Sequence, residues 1–366
     1  MPVLHPARTA LGLCLGLGLS TPVFADDLPV TSALRLLLVT MPDAQDAPAG
    51  SYQIDFGDVR AARALLQATG NLPLDPEDGD LTALMRGGTQ IFARSASADE
   101  TAFVAANGFG FADVDTNMQY ARPPLWLNVL SLGFGVGDGV SEGLPEVGFT
   151  QEDRHGVSVF WRGDQDNAVM QPTPTDDLYG GALRRSVRLA LAGDMMAFSS
   201  SWGVLETALT DTLPRMSDAA EVVALLDAID ASAAADERLI LANLFIDVLP
   251  ADYPGNLFLA DLFNTEGHVT LAAYLPTDTV PVEDQAARLH ANWSGLPISG
   301  NGGSFADLLG ADVSVQVVDA GQPVIVMRLN TPFNTEVNRL LLNRGFGAVQ
   351  SALFRGDLER LLSEMP

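Results

Sequence analysis

The chain predicts an α+β fold: two similar strand-helix-hairpin-helix modules packed side by side, preceded by a cleaved signal peptide. Three observations lead there. The order strand, helix, hairpin, helix occurs twice along the chain. Apolar residues make up 47% of the 366, enough to fill a core. Residues 1–25 have the pattern of an exported leader. The modules are assigned to residues 26–230 and 231–366.

The leader has Arg8 in a polar lead, an apolar run from Ala10 to Leu19, and Val23 and Ala25 before a cleavage point after Ala25. That run is about half the roughly twenty residues needed to cross a bilayer, which favours a removed leader over an anchor. Leu13 stands where a lipid-attachment signal places a small residue before its cysteine, so Cys14 is not read as a lipidation site. Cleavage removes that one cysteine, leaving a mature chain without disulfides, thiolate metal sites or a cysteine nucleophile. No later run is long and apolar enough to span a membrane, so a periplasmic or secreted location without a transmembrane segment is expected.

In the first module, Tyr52 to Phe56 alternates with period two as a strand, and Asp58 caps a helix running to Gly70. Residues 71–82 are turn-rich and acidic, with a strand expected near Thr89–Arg94. Leu125–Leu132 and Val157–Trp161 follow as strands. Arg185–Ala192 and Met195–Ser199 form a hairpin turning at Gly193-Asp194, backed by helices at Trp202–Leu213 and 218–230. In the second module, strands Leu239–Ile246 and His268–Tyr274 precede a helix at Val282–Trp293. A hairpin of Val313–Val317 with Val324–Leu329 follows, then a long helix from about Thr335 to Ser363.

Charge excludes several functions. With 46 acidic against 20 basic residues the net charge is −26, which repels phosphate backbones and excludes generic nucleic-acid binding. Every basic residue is Arg, which removes Schiff-base chemistry, the Walker-type lysine and any Ser–Lys dyad.

The segments Gly108-Phe109-Gly110-Phe111-Ala112-Asp113-Val114-Asp115, Pro123-Pro124, Gly148-Phe149, Gly156-Val157-Ser158-Val159-Phe160 and Leu189-Ala190-Leu191-Ala192-Gly193-Asp194 form a series. Over about a third of the chain it resembles an uncharacterised group of exported bacterial proteins. The resemblance implies export, an α+β fold and a surface helix within Gly135–Gly148; it implies no catalytic residue.

Candidate chemistry is scattered. Gly139-Val140-Ser141-Glu142-Gly143 matches G-x-S-x-G, in which small neighbours let a serine sit on a strained strand-to-helix turn. Pro145 and the glycine-rich approach argue for a surface helix there instead. His155, His268 and His290 lie in separate elements without metal-ligand spacing. Oxygen-rich stretches suit calcium, a hard cation wanting about six to eight oxygens. The metal candidates are Asp75 and Glu77 in one stretch and Asp113, Asp115 and Asn117 in another; neither completes an EF-hand, and each also reads as a solvated turn. Arg184 and Arg188, on one face of a strand, could grip an anionic ligand or merely neutralise an acidic surface. Paired carboxylates for glycoside hydrolysis do not stand out.

The expected function is an exported, non-catalytic binding or interaction protein, calcium serving at most as a stabiliser. Its partner is an unidentified protein or small molecule, held in the cleft or on the sheet face between modules. The alternatives are an esterase-like serine hydrolase using Ser141 and an envelope structural protein.

Overall fold

The computed structural model describes residues 28–43, 52–71, 76–92, 99–122, 125–170, 178–180, 185–210, 213–247, 256–295, 297, 303–309, 313–333 and 341–362. The leader and Arg184 lie outside these residues, as do Asp75 and the side chain of Glu77.

Twelve strands form one antiparallel sheet. They are β1 (Tyr52–Asp58), β2 (Val114–Arg122), β3 (Leu125–Leu132), β4 (Thr150–Arg154), β5 (Val157–Arg162), β6 (Val187–Ala192), β7 (Met195–Ser199), β8 (Arg238–Ile246), β9 (Leu257–Phe263), β10 (Gly267–Tyr274), β11 (Val313–Asp319) and β12 (Pro323–Pro332). Their order across the sheet is β11-β12-β10-β9-β8-β1-β2-β3-β7-β6-β5-β4. The chain is thus mixed α/β with a large antiparallel sheet. Strands before and after residue 231 meet where β1 pairs with β8, Asp55 opposite Asn243.

Helices cover both faces. On the first face lie α1 (Ser32–Leu38), α6 (Trp202–Leu209) and α7 (Ala220–Ser232). Leu34, Leu205 and Leu225 pack there on Ile54, Phe56, Met118 and Leu244. On the second face, α2 (Val59–Ala68), α3 (Pro76–Gly87), α4 (Glu100–Asn107) and α5 (Val136–Gly143) cover strands of the first half. Helices α8 (Val282–Gly295), α9 (Phe305–Leu309), α10 (Arg344–Arg355) and α11 (Asp357–Leu362) cover the second half. Because both faces are covered, strands are buried on both sides: β6, β9 and β10 are buried throughout.

Local signals account for most elements. Asp58 caps α2 by accepting the Ala61 amide at 2.9 Å. The β6–β7 hairpin turns at Gly193, in the left-handed region at φ 58°. Five expectations need correction. Residues 76–82, expected as turn, belong to α3, where Arg63 pairs with Asp80 at 2.9 Å and Ala83 and Leu84 are buried. The strand expected near Thr89–Arg94 is instead a 3-10 turn at Gln90–Phe92, because the Thr89 amide is drawn to the Asn117 side chain. Strand β9 was not expected; its fully buried LFLADLF has no alternation to betray it. The helix after Trp202 ends at Leu209, where Thr210 turns extended. The C-terminal helix is two, α10 and α11, because Gly356 adopts a left-handed conformation at φ 74° and Leu341 sits at φ 48°.

Candidate functional site

On the second face, neighbouring strands carry a row of polar side chains where aliphatic residues would be expected. Asn128 on β3 pairs with Gln119 on β2. Gln119 pairs with Asp55 on β1, and Asp55 with Asn243 on β8. Neighbours in the row stand about 4.8 Å apart, so the four span about 14 Å. All face away from the first-face core, because Ile54, Phe56, Met118, Tyr120, Leu127, Val129, Ala242 and Leu244 alternate with them and fill it.

The next row toward one end is Trp126, Ala121, Gln53 and Phe245. Trp126 stacks edge-on to Phe198 at 5.9 Å, and Phe198 to Tyr179 at 5.4 Å, forming an aromatic wall. On the opposite side Gln350 of α10 donates to Asn243 Oδ1 at 2.9 Å, and the exposed Phe354 meets Phe245 edge-on at 6.0 Å. The other end is closed by backbone: Gly57 and Gly87 pack so tightly that neither tolerates a Cβ. Asn117 clamps that closure, donating to the carbonyls of Gly57 at 3.1 Å and Gly87 at 3.2 Å and accepting from Thr89 N at 2.7 Å. The two rows lie between the two helix sets. Gln53, Asp55, Gln119 and Trp126 are half-buried there, while Asn128 and Asn243 are buried.

The hydrogen bonding of this row is unbalanced. Gln53 and Asn243 both donate to Oδ1 of Asp55. Nothing among the described residues donates to Oδ2. Gln119 and Asn128 make no side-chain hydrogen bond to a described residue, and Asn128 Oδ1 is fully buried without a donor. A buried acceptor left in this state costs about 1–3 kcal/mol. Burial raises the Asp55 carboxyl from 3.8 to about 6, a rise that the amides of Gln53 and Asn243 only partly offset. A half-buried carboxyl with a raised pKa among unpaired amides makes this row the candidate functional site.

The residues singled out from sequence lie elsewhere. Ser141 is inside α5, not on a strand-to-helix turn, and the preceding strand β3 ends at Leu132. Arg188 is buried on β6: its Nε meets Asp166 Oδ1 at 3.2 Å and its Nη1 reaches the carbonyls of Arg162 and Val187. Asp166 in turn accepts the Trp202 amide that begins α6, so Arg188 supports that corner of the fold. Asp113 accepts the Gly110 amide at 2.7 Å, Asp115 lies 3.8 Å from Arg60, and Asn117 is committed to its three partners. These oxygens therefore do not converge, and among the described residues no group of three His, Cys, Asp or Glu could hold a metal ion.

The three histidines beyond the leader, His268, His290 and His155, occupy β10, α8 and the β4–β5 turn. His268 on β10 is buried edge-on to Phe333, its pKa lowered to about 3 by burial and by Arg86. Arg86 belongs to a second polar group: it pairs with Asp261 at 2.7 Å, and Asn343 donates to the same carboxylate at 2.8 Å while capping α10. The Arg86 and Asp261 side chains are 0% and 1% exposed, so this group ties α3, β9 and α10 together and offers no entry to a ligand.

No protein-family model matches the chain, and no curated protein matches it. Two crystal forms of TP0453 align with it. Form I covers 83% of this chain and 94% of the other at 10% identity and a TM-score of 0.37. Form III covers 78% and 90% at 6% identity and a TM-score of 0.30. At such scores the likeness carries no argument about fold or function. The site rests on the geometry of this chain alone.

Sequence reasoning did not single out Gln53, Asp55, Gln119, Asn128 or Asn243. In isolation, polar residues alternating with apolar ones read as the wet face of a half-exposed strand. Only the helices on both faces make them conspicuous.

Proposed function

We propose that the protein is an exported, non-catalytic binding protein and that the polar row across β3, β2, β1 and β8 is its ligand site. The supporting observation is the row Asn128, Gln119, Asp55 and Asn243, which holds unused hydrogen-bond capacity at the join between the two halves of the sheet. Export rests on the pattern of residues 1–25. Descent of the halves from one duplicated module is a further proposal that rests on the order read from the sequence, since the structure has seven strands in the first half and five in the second. Binding is favoured over hydrolysis because the row carries one carboxyl and because Ser141 is held within a helix.

The test is thermal unfolding of wild type and Gln119→Ala against a broad library of small polar molecules. Gln119 makes no bond that the fold needs, so the variant should melt close to wild type without ligand. A ligand at about a hundred times its dissociation constant adds roughly 2.7 kcal/mol to wild type and clearly less to the variant. Protection of both proteins by every hit to the same extent would place the ligand elsewhere. Ester hydrolysis lost in Ser141→Ala would replace the binding reading with the hydrolase.

A further inference from the structure

We propose that β11 is an interface to a second copy of this chain, the two β11 strands pairing antiparallel about a two-fold axis at Gln316. The first argument is the order of the sheet. Outward from the join, the first half runs β1-β2-β3-β7-β6 and the second β8-β9-β10-β12-β11, so β11 stands where β6 stands. On β6 the outer place is filled: β5 pairs along it antiparallel, Phe160 opposite Leu189, and β6 is buried throughout. β11 ends the sheet, and its Ser314, Gln316, Val317 and Asp319 are exposed. Gln316 meets α7 on the first face, donating to Ser232 Oγ at 2.9 Å, and Val313 and Val315 pack into the core on the second. The outer backbone edge makes no hydrogen bond to a described residue.

The second argument is the contrast between the two ends of the sheet. An open edge is a template for pairing, and charged side chains blunt it. β4, at the far end, carries Glu152, Asp153 and Arg154. β11 carries no charge from Val313 to Val318 and has no Pro. Charge and symmetry then name the occupant. Copies with a net charge of −26 repel one another, so they approach best along a strand without charge. The second copy's β11 is such a strand, and it opens Val313-Ser314-Val315 as β5 opens Val157-Ser158-Val159. A β4 strand would bring two carboxylates and a guanidinium, and β4 on β11 repeated from copy to copy does not close. A two-fold pairing closes. Directly opposed residues share a face, so the axis passes through a residue, and the register that uses all of β11 centres on Gln316. Val315 then lies opposite the partner's Val317 on the second face, and the two Gln316 side chains lie opposite each other on the first. Such a pairing supplies about six to eight backbone hydrogen bonds and joins two sheets into one.

The experiment is sedimentation of the purified protein over a wide concentration range, for wild type, Gln316→Glu and Gln316→Arg. Wild type should pass from monomer to dimer as concentration rises and go no further. Each variant sets like charges opposite each other on the axis and should weaken the dimer severalfold. An equimolar mixture of the two variants sets carboxylate against guanidinium and should restore it. Because Gln316 is exposed, both variants should melt close to wild type at concentrations where all are monomeric. Wild type that stays monomeric at its highest soluble concentration overturns the proposal, and so does a mass that grows beyond a dimer, the mark of β4 on β11. A dimer whose affinity is the same in both variants has its interface elsewhere and overturns it too.

Discussion

Replacing Asp55 with Asn should stabilise the protein at neutral pH and leave it unchanged in acid. In the fold its carboxyl is raised from 3.8 to about 6 by burial. At about 1.36 kcal/mol per pH unit, ionising it in place costs roughly 3 kcal/mol more than ionising it in the unfolded chain. The sign follows from proton uptake. Between pH 3.8 and 6 the folded form holds a proton that the unfolded form has lost, so stability falls as pH rises through this window. Below 3.8 both forms are protonated and the contribution vanishes; above 6 the penalty is complete. Asparagine keeps an oxygen for the amides of Gln53 and Asn243 and carries no charge to bury. In paired urea titrations the variant should exceed wild type by about 2–3 kcal/mol at pH 7.5, narrowing to nearly nothing at about pH 4. Comparing the two proteins at each pH cancels the other 45 acidic groups. The ¹³C resonance of the Asp55 carboxyl should titrate near 6 in the fold. A midpoint near 3.8, or a difference between the proteins that does not change with pH, would refute the reasoning.

Other features give further predictions. Arg86→Met strands the Asp261 carboxylate in the core and should cost about 3–5 kcal/mol in chemical denaturation, whereas Arg86→Met with Asp261→Leu should recover most of it. Gly57→Ala would drive a methyl into the Gly87 carbonyl and should cost at least about 1–3 kcal/mol. Gly139→Ala, on an open helix position, should be neutral or stabilising by up to about 1 kcal/mol in the same measurement. Calcium at matched ionic strength should leave the melting temperature where chelator leaves it, since Asp113 and Asn117 are engaged by the chain itself; a rise specific to calcium would reinstate an acidic site.

What the sequence reveals is local. The Asp58 cap, the turn at Gly193-Asp194 and the periodicity of 218–230 can be read directly, because each signal lies within a few residues of the element it creates. Strand β9 is illegible in isolation: LFLADLF suits a buried strand and a buried helix alike, and only pairing with β8 and β10 decides it. The extent of α3 is hidden for a related reason. Its acidic, glycine-containing first turns look like a loop until Arg63 and the buried Ala83 and Leu84 supply partners. The site is harder still. Asn128 and Asp55 are separated by 73 positions and Asp55 and Asn243 by 188, and no local pattern aligns them.

Strand β1 has a neighbour from each half of the chain, β2 on one side and β8 on the other. Its outward positions could be aliphatic with no change in backbone pairing, as β6 shows with Val187, Leu189 and Leu191 buried on the same face. Instead it carries Gln53 and Asp55, flanked by Gln119, Asn128 and Asn243. Each choice opposes stability: a carboxyl is held where ionisation is penalised, and Asn128 Oδ1 is buried without a donor. The Arg86–Asp261–Asn343 group differs in kind, because its bonds connect three elements and the fold itself accounts for it. No such account covers Gln119 and Asn128, whose side chains bond to none of the described residues. Polar groups that weaken the sheet and connect no described part of it are the ground on which a ligand is proposed there.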